Sequence, residues 1–458
     1  MSFRDEIKNR LLVFDGSMGR MLHENGLGVG TCPEEWNLTH PEILKRIYKS
    51  YKDSGSDVVQ TNTFQSNRIK LEEYGLNDKH FEINYQAVKL AKEAADGKCY
   101  VAASIGPLGK LLEPFGELTF EKAYDTFKDQ IMAVAEGGAD IISLETFTDI
   151  SELRIALLAA KENCELPVIC SVSYEQNGRT LMGTEPDICA VILHSMGADL
   201  IGTNCSFGPE YMLEIAEKYR NTGLPFSVKP NAGLPEIIDG KQVFKETPVG
   251  FARLVPEFIK NGARLLGGCC GTTPQYIAEV AKLVKETGSE ISTDTKNLDV
   301  DYITSTSHKL AFESIKSAKL GRIDAGKDKF LRDSLNGGDL ASVTDSAMEL
   351  LDEKYDIVLI DMDRVNSMDT LLLAKVVKEA QTYLKQPFVL KSDSIDALEA
   401  ALRIYKGRAG YIMPVGTAMP AGTAMPAGTG NSTPVIEAAK LLAKYGAVDC
   451  GGLINNEE

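Results

Sequence analysis

Histidine is scarce in this chain, five in 458 residues, and tryptophan occurs once. No apolar run approaches the about 18 residues that a membrane-crossing helix requires, so no membrane span is expected. The opening MSFRDEIKNRLLVFDG carries charges where a secretory leader would need an apolar segment, which makes the cytoplasm the expected compartment. Basic charge is in deficit. Lys and Arg total 49 against 65 Asp and Glu, and the net charge of -16 repels phosphate backbones and anionic lipid, so neither nucleic acid nor a membrane surface is expected as a partner. GLGVG at 26–30 lacks the spacing and strand context of a dinucleotide loop. The nine cysteines are odd in number and widely spread, which favours thiol chemistry or metal binding over a disulfide framework.

What is present is a globular composition, 43% hydrophobic and 25% charged, long enough for a barrel plus a smaller domain. Up to about residue 290, short strand-like runs alternate with amphipathic helix-like ones. Eight strands are predicted, at 11–15, 57–63, 100–105, 140–146, 167–173, 198–206, 225–231 and 263–270, each followed by a segment of helical period. Eight βα units in that length predict an α/β fold, a closed (β/α)8 TIM barrel over 1–290. Residues 291–310, polar and rich in Ser and Thr, read as a linker, and 311–458 as a smaller C-terminal α/β domain with too few units to close a second barrel. The hexapeptide repeat MPVGTA-MPAGTA-MPAGTG at 413–430 reads as a surface loop.

Barrel enzymes do their chemistry at the C-terminal ends of the strands. There the sixth strand ends in Cys205 and the eighth in Cys269 and Cys270, two positions apart on one ring. Three thiolates sharing a mouth suit a catalytic zinc that keeps its fourth position open. Adjacent cysteines in a regular strand would face opposite ways, so the backbone must leave the pleat, which Gly267, Gly268 and Gly271 permit. The same residues also read as small buried hydrophobes, or as a redox pair without the usual spacer. The other six cysteines default to packing. The first strand ends in Asp15-Gly16-Ser17-Met18, a turn whose N–H groups can hold a carboxylate, and the fourth ends in Glu145, an acid that can hold an ammonium. Asp15 and Glu145 read equally well as helix caps. Asn231, ending the seventh strand, can reach a metal or satisfy its own turn.

The motifs FDGSMGRML, TNTF, SIGPLG, ETFTD, GTNCSFGP, KPNAGLP and GGCCGTTP, in this order, resemble the homocysteine-binding barrel of cobalamin-dependent methionine synthase and its homocysteine S-methyltransferase relatives. The resemblance implies a zinc site at Cys205, Cys269 and Cys270 that binds the homocysteine thiol. It further implies amino-acid recognition by Asp15, the Gly16, Ser17 and Met18 amides and Glu145, with Asn231 near the metal when substrate is absent. The tail is similar to the start of a methyltetrahydrofolate (pterin)-binding barrel, with GRIDAGKDKFLRDSLNGGDL, DIVLIDMD and LKSDSIDALEAALRIYKGR as counterparts. It departs from that pattern at Asp324, at Asp361 to Asp363 and at the MetProVal of 413–415, although Asp393 is retained, so methyltetrahydrofolate binding is not expected of it. No cobalamin-binding motif is visible, and a methylcobalamin donor is expected on a separate corrinoid protein. The expected function is thus zinc-dependent methylation of homocysteine to methionine. The rival readings are a donor such as S-methylmethionine or a betaine-like methylammonium, or a non-catalytic scaffold for a corrinoid protein. An incomplete second barrel has two open edges, which predicts a homo-oligomer through the C-terminal domain.

Overall fold

The computed structural model describes residues 2–238, 241–288, 302–362, 364–365, 369–412, 440–441 and 444–454, in two compact units. The first comprises 1–193 and 198–298, and the second 194–197 and 299–458.

The first unit is a parallel barrel. Its strands are β1 (Leu12–Val13), β2 (Val58–Gln60), β3 (Tyr100–Ile105), β4 (Ile141–Phe147), β5 (Val168–Val172), β6 (Leu200–Asn204), β7 (Phe226–Lys229) and β10 (Ala263–Leu266). They pair in the order β1-β10-β7-β6-β5-β4-β3-β2, and a parallel bridge from Phe14 to Val58 joins the two ends. All eight predicted strands are present: β3 has its predicted bounds, β4 runs one residue past its predicted end, and the others are shorter than predicted. Between β7 and β10 the sequence reading missed an antiparallel pair, β8 (Pro235–Ile238) with β9 (Lys241–Phe244).

Alternation along the strands divides the barrel interior into layers. Leu12, Phe14, Val58, Ala102, Ile141, Ile169, Leu200 and Leu265 form an apolar floor, closed from below by Phe3 and Ile7 of the N-terminal helix Phe3–Asn9. Above the floor the inward positions become small and polar. Ser143, Ser171 and Ser227 are all buried, and a Cβ on Gly202 would collide with the Ser227 hydroxyl. The polar chemistry therefore stands on an apolar base at the C-terminal ends of the strands.

The second unit holds a parallel sheet in sequential order, β13 (Leu320–Asp324), β14 (Ile357–Asp361), β15 (Phe388–Lys391), β16 (Gly410–Ile412) and β17 (Val448–Asp449), so among the described residues β13 and β17 are its edges. The stretch read as linker to residue 310 carries structure: β11 (Tyr302–Thr304) pairs with β12 (Lys309–Ala311), because Ile303 has an apolar face to bury beside Ile315, Ile357 and Leu359. After β13 come two helices, Lys329–Asn336 and Ala341–Leu351, separated at Gly338 with φ +79°. The repeat at 413–430 and most of the proposed linker lie outside the described residues. Among the described residues no helix is long and apolar enough to cross a membrane.

Phe3 is 2% exposed and meets Tyr100 edge to face at 5.7 Å between ring centroids. Phe3→Ala is expected to destabilise the barrel by about 3 kcal/mol, read by urea unfolding. A loss under about 1 kcal/mol would show that the N-terminal helix is not part of the barrel core.

Candidate active site

Pairing order decides what meets at the mouth. β6 and β10 both flank β7, so the residues that follow them lie on either side of one strand end. The Sγ atoms of Cys205, Cys269 and Cys270 all lie within 4.8 Å of one another, with Cys205 and Cys270 at 3.4 Å. Among the described residues no fourth Cys, His, Asp or Glu joins this group. Cys270 is exposed and the other two partly so, which leaves the cluster open to solvent.

The backbone leaves the pleat as the paired cysteines require. Cys205 has φ +66° and Gly271 φ +79°, and the Phe244 ring occupies the place of a Cβ on Gly271. The Asn231 amide clamps the two cysteine loops: its Nδ2 donates to the Cys205 carbonyl at 2.6 Å and its Oδ1 accepts from the Cys270 N–H at 3.0 Å. Both polar ends of Asn231 are thus committed to backbone. From the first loop, Tyr51 Oη donates to the Ser17 carbonyl at 3.0 Å and Arg20 donates to the Gly271 carbonyl.

Three thiols this close cannot all ionise without a cation. Hydrogen bonds from Cys205 and then Cys269 pull the Cys270 thiol down, while contact with Cys269 and then Cys270 pushes Cys205 up. A divalent ion would convert all three to thiolates, and this soft donor set fits zinc.

Beneath the sulfurs lies a charged network that the sequence reading only half located. Glu145 Oε1 accepts from Gln60 Nε2 at 2.6 Å and from Ser104 Oγ at 2.5 Å, and its Oε2 takes the ammonium of Lys229. Lys229 is 1% exposed, donates to Gln60 Oε1 at 2.8 Å and stands 4.4 Å above the Phe14 ring. The missed signal was parity: Lys229 lies two residues beyond Ser227 and Gln60 two beyond Val58, so both share the inward face.

Neither acid is a helix cap. The cap before Met18–Glu24 is Ser17, and that before Ile150–Asn163 is Asp149. Asp15 is instead 1% exposed, with Oδ2 accepting the Gln60 N–H at 2.7 Å and Oδ1 without a partner among the described residues. Burial holds the Asp15 carboxyl well above its ordinary range, against the pull of the Gln60 N–H and Lys229. Of the turn amides, the Ser17 N–H is bonded to Thr272 Oγ1 at 3.2 Å. A Cβ on Gly16 would lie 2.6 Å from the same hydroxyl, so only glycine lets the turn approach the cysteine loop. The histidines stay outside the thiol cluster; His40, for example, stacks on Trp36 with ring centroids 4.3 Å apart.

A (β/α)8 barrel with polar and thiol groups gathered at its C-terminal mouth has the form of a barrel enzyme. The family model described as Homocysteine S-methyltransferase matches residues 12–284, and the chain belongs to that family of methyltransferases. It is similar to the methionine synthases of Mycobacterium tuberculosis (strain ATCC 25618 / H37Rv) and Mycobacterium leprae (strain TN), each 29% identical over 428 residues. Those matches cover 88% of this chain, and the chain spans 35% of the relatives' length. Among solved structures, the metallated form of the homocysteine methyltransferase MmuM from Escherichia coli shares the fold, with a TM-score of 0.52 at 22% identity over 60% of this chain and 97% of that one. Its oxidized form gives 0.52 at 21%, over 60% and 96%.

Two outcomes follow from the buried charges. Glu145→Gln strands the Lys229 ammonium and is expected to cost about 3–5 kcal/mol, most of it recovered when Lys229→Met is added. Equal losses for the single and double variants in chemical denaturation would refute the pairing. For Asp15, a raised folded pKa imposes a penalty that is absent below about pH 4, the unfolded value, and grows as the pH rises. Asp15→Asn should therefore raise the Tm of the ligand-free chain at pH 8 by roughly 2–4 °C or more and leave it unchanged at pH 4. Calorimetry showing the same shift at both values would contradict this.

Proposed function

We propose that this chain is a zinc-dependent homocysteine S-methyltransferase that forms methionine. The observation that carries the proposal is the convergence of Cys205, Cys269 and Cys270 within 4.8 Å at the barrel mouth, with no fourth protein ligand among the described residues. A zinc ion held there would take the substrate thiol as its fourth ligand and keep it deprotonated at neutral pH. The chain's own residues supply the rest. Asp15, with Oδ1 free, and Glu145, anchored by Gln60, Ser104 and Lys229, face the substrate ammonium. The turn Gly16–Met18 faces the carboxylate through the Gly16 and Met18 amides, while the Ser17 N–H fixes the turn to Thr272. Asn231 holds the two cysteine loops at a constant separation, so the sulfurs need little rearrangement on loading.

The methyl donor in this reading is a methylcorrinoid carried by a separate protein. In such a transfer the homocysteine sulfur would bond the donor's methyl carbon, the donor would keep the electron pair of the bond it loses, and the thiol proton would go to solvent. A match to methionine synthases over 88% of the chain runs past residue 290, which supports reading the second unit as a relative of the pterin-binding barrel. That unit is assigned no methyltetrahydrofolate, because Asp361 and Lys391 at its strand ends are paired with each other at 2.7 Å. Its edge strands β13 and β17 remain the proposed surface for self-association, and the cytoplasm the proposed compartment.

Metal analysis of the reduced protein should find one zinc per chain. Methionine should form from homocysteine with free methylcobalamin, and Cys269→Ala should lose both metal and turnover by more than the about 10–100-fold typical of an outer-sphere change. Turnover with S-methylmethionine or a betaine alone would replace the donor. Tight capture of a corrinoid protein without turnover on any donor would replace the enzyme with a scaffold.

A further inference from the structure

The thiol cluster and the acid Glu145 lie on different strands, and one fully buried side chain touches the machinery of both. Asn204, the last residue of β6, is 0% exposed and directly precedes Cys205. Its Oδ1 accepts the Thr146 N–H at 2.9 Å, and its Nδ2 donates to Thr146 Oγ1 at 2.8 Å and to Cys269 Sγ at 3.7 Å. The amide orientation is forced, since a backbone N–H can only donate and so must face the oxygen. Every polar atom of this side chain is therefore spent on two distant segments, β4 and the loop after β10.

Thr146 needs such a partner. It is β-branched, yet it has φ +65°, a region where such side chains are rarely found. The pairing of β4 with β5 slips at this point: Leu144 faces Cys170 and Phe147 faces Val172, so Glu145 and Thr146 together stand opposite Ser171. Glu145 keeps the inward face it shares with Ser143, and the bulge turns Phe147 outward, where it packs against Phe127 of the helix Phe120–Gly137 at 5.9 Å between ring centroids. Without a hold on Thr146 the strand would return to simple alternation and turn Phe147 inward beside Glu145, crowding the place where Glu145 would meet a ligand.

We infer that Asn204 is a positioning residue that couples the sulfur site to substrate recognition, fixing the Glu145 bulge with one end of its amide and orienting the Cys269 sulfur with the other. An N–H donor to a thiolate also stabilises its negative charge, so loading the cluster with a metal strengthens the Cys269 bond and tightens the hold on Thr146. This rests on the three sulfurs being a metal site, as proposed above.

The test loads the full-length protein with Co²⁺ and with Zn²⁺ and reads the thiolate-to-cobalt charge-transfer band, zinc affinity against a chelator, and the homocysteine KM apart from kcat. Asn204→Ala should weaken zinc by about 10–100-fold, shift the band and raise the KM. In a Thr146→Gly background, where positive φ carries no strain, the KM part of the Asn204→Ala effect should shrink and the metal part persist. Asn204→Asp guards against simple misfolding: it keeps an acceptor for the Thr146 N–H but has no donor for Cys269. It should stay folded with near-native KM and an altered cobalt band. If the wild type binds metal while Asn204→Ala keeps zinc affinity within about twofold and the same band, the coupling is wrong and the metal site stands. An Asn204→Asp protein indistinguishable from wild type overturns it equally. A wild type that binds neither ion sinks both.

Discussion

Three sulfurs from two strand ends can gather only because β7 lies between β6 and β10 in the barrel ladder. That neighbour relation is a property of barrel closure, set by the apolar floor far below the site, and no local feature of the cysteine motifs could impose it. β7 then does more than separate its neighbours. Its last residue, Lys229, accepts the Cys205 N–H on its carbonyl at 3.2 Å and sends its ammonium inward to Glu145 and Gln60. Two residues on, Asn231 ties the cysteine loops to each other. One strand thus sets the separation of the sulfurs and the charge balance beneath them.

The cost of this arrangement appears in the interior. A barrel optimised for stability would continue its apolar layers upward, whereas here the layers above Leu200 and Leu265 hold serines, a glycine, a buried ion pair and a carboxyl with an unpartnered oxygen. Burying an ion pair rarely exceeds an apolar replacement in stability, so Lys229 and Glu145 are better explained by the site than by the fold. Asp15 points the same way, because a desolvated carboxyl with a free oxygen is a destabilised group that a ligand cation would relieve.

Much of this was legible in the sequence, and the limits have physical causes. Periodicity placed all eight strands because each is buried on both faces and reads as a short apolar run. The cysteines stood out because the chemistry of three thiols at strand ends has few alternatives. Lys229 and Gln60 did not, since a lysine in PFSVKPN looks like a strand terminus until the inward parity from Ser227 is traced. Asn204 was hidden for a different reason: its role depends on Thr146 adopting a left-handed backbone, and no propensity predicts that for a β-branched residue. The roles of Asp15 and Glu145 turned on where helices begin, and Ser17 and Asp149, each a better cap, left the two acids for the site. The hairpin at 302–311 escaped because polar loop residues alternate there with only a few apolar ones.

That hairpin also helps to build the core of the second unit. Ile357, Leu359, Val389 and Ile412 line one face of its sheet, the face a closed barrel would turn inward. Here Ile303, Ile315 and the turn at Cys450–Ile454 pack on it, while on the other face Phe388 stacks on Tyr405 at the end of the helix Ile395–Ile404. Among the described residues both faces of this sheet are thus covered by its own chain, and at its strand ends Asp361 pairs with Lys391 at 2.7 Å. The first unit buries its interior differently. Its floor is sealed only by a complete ring of strands, and the ring in turn brings Cys205 to the two cysteines beyond β10.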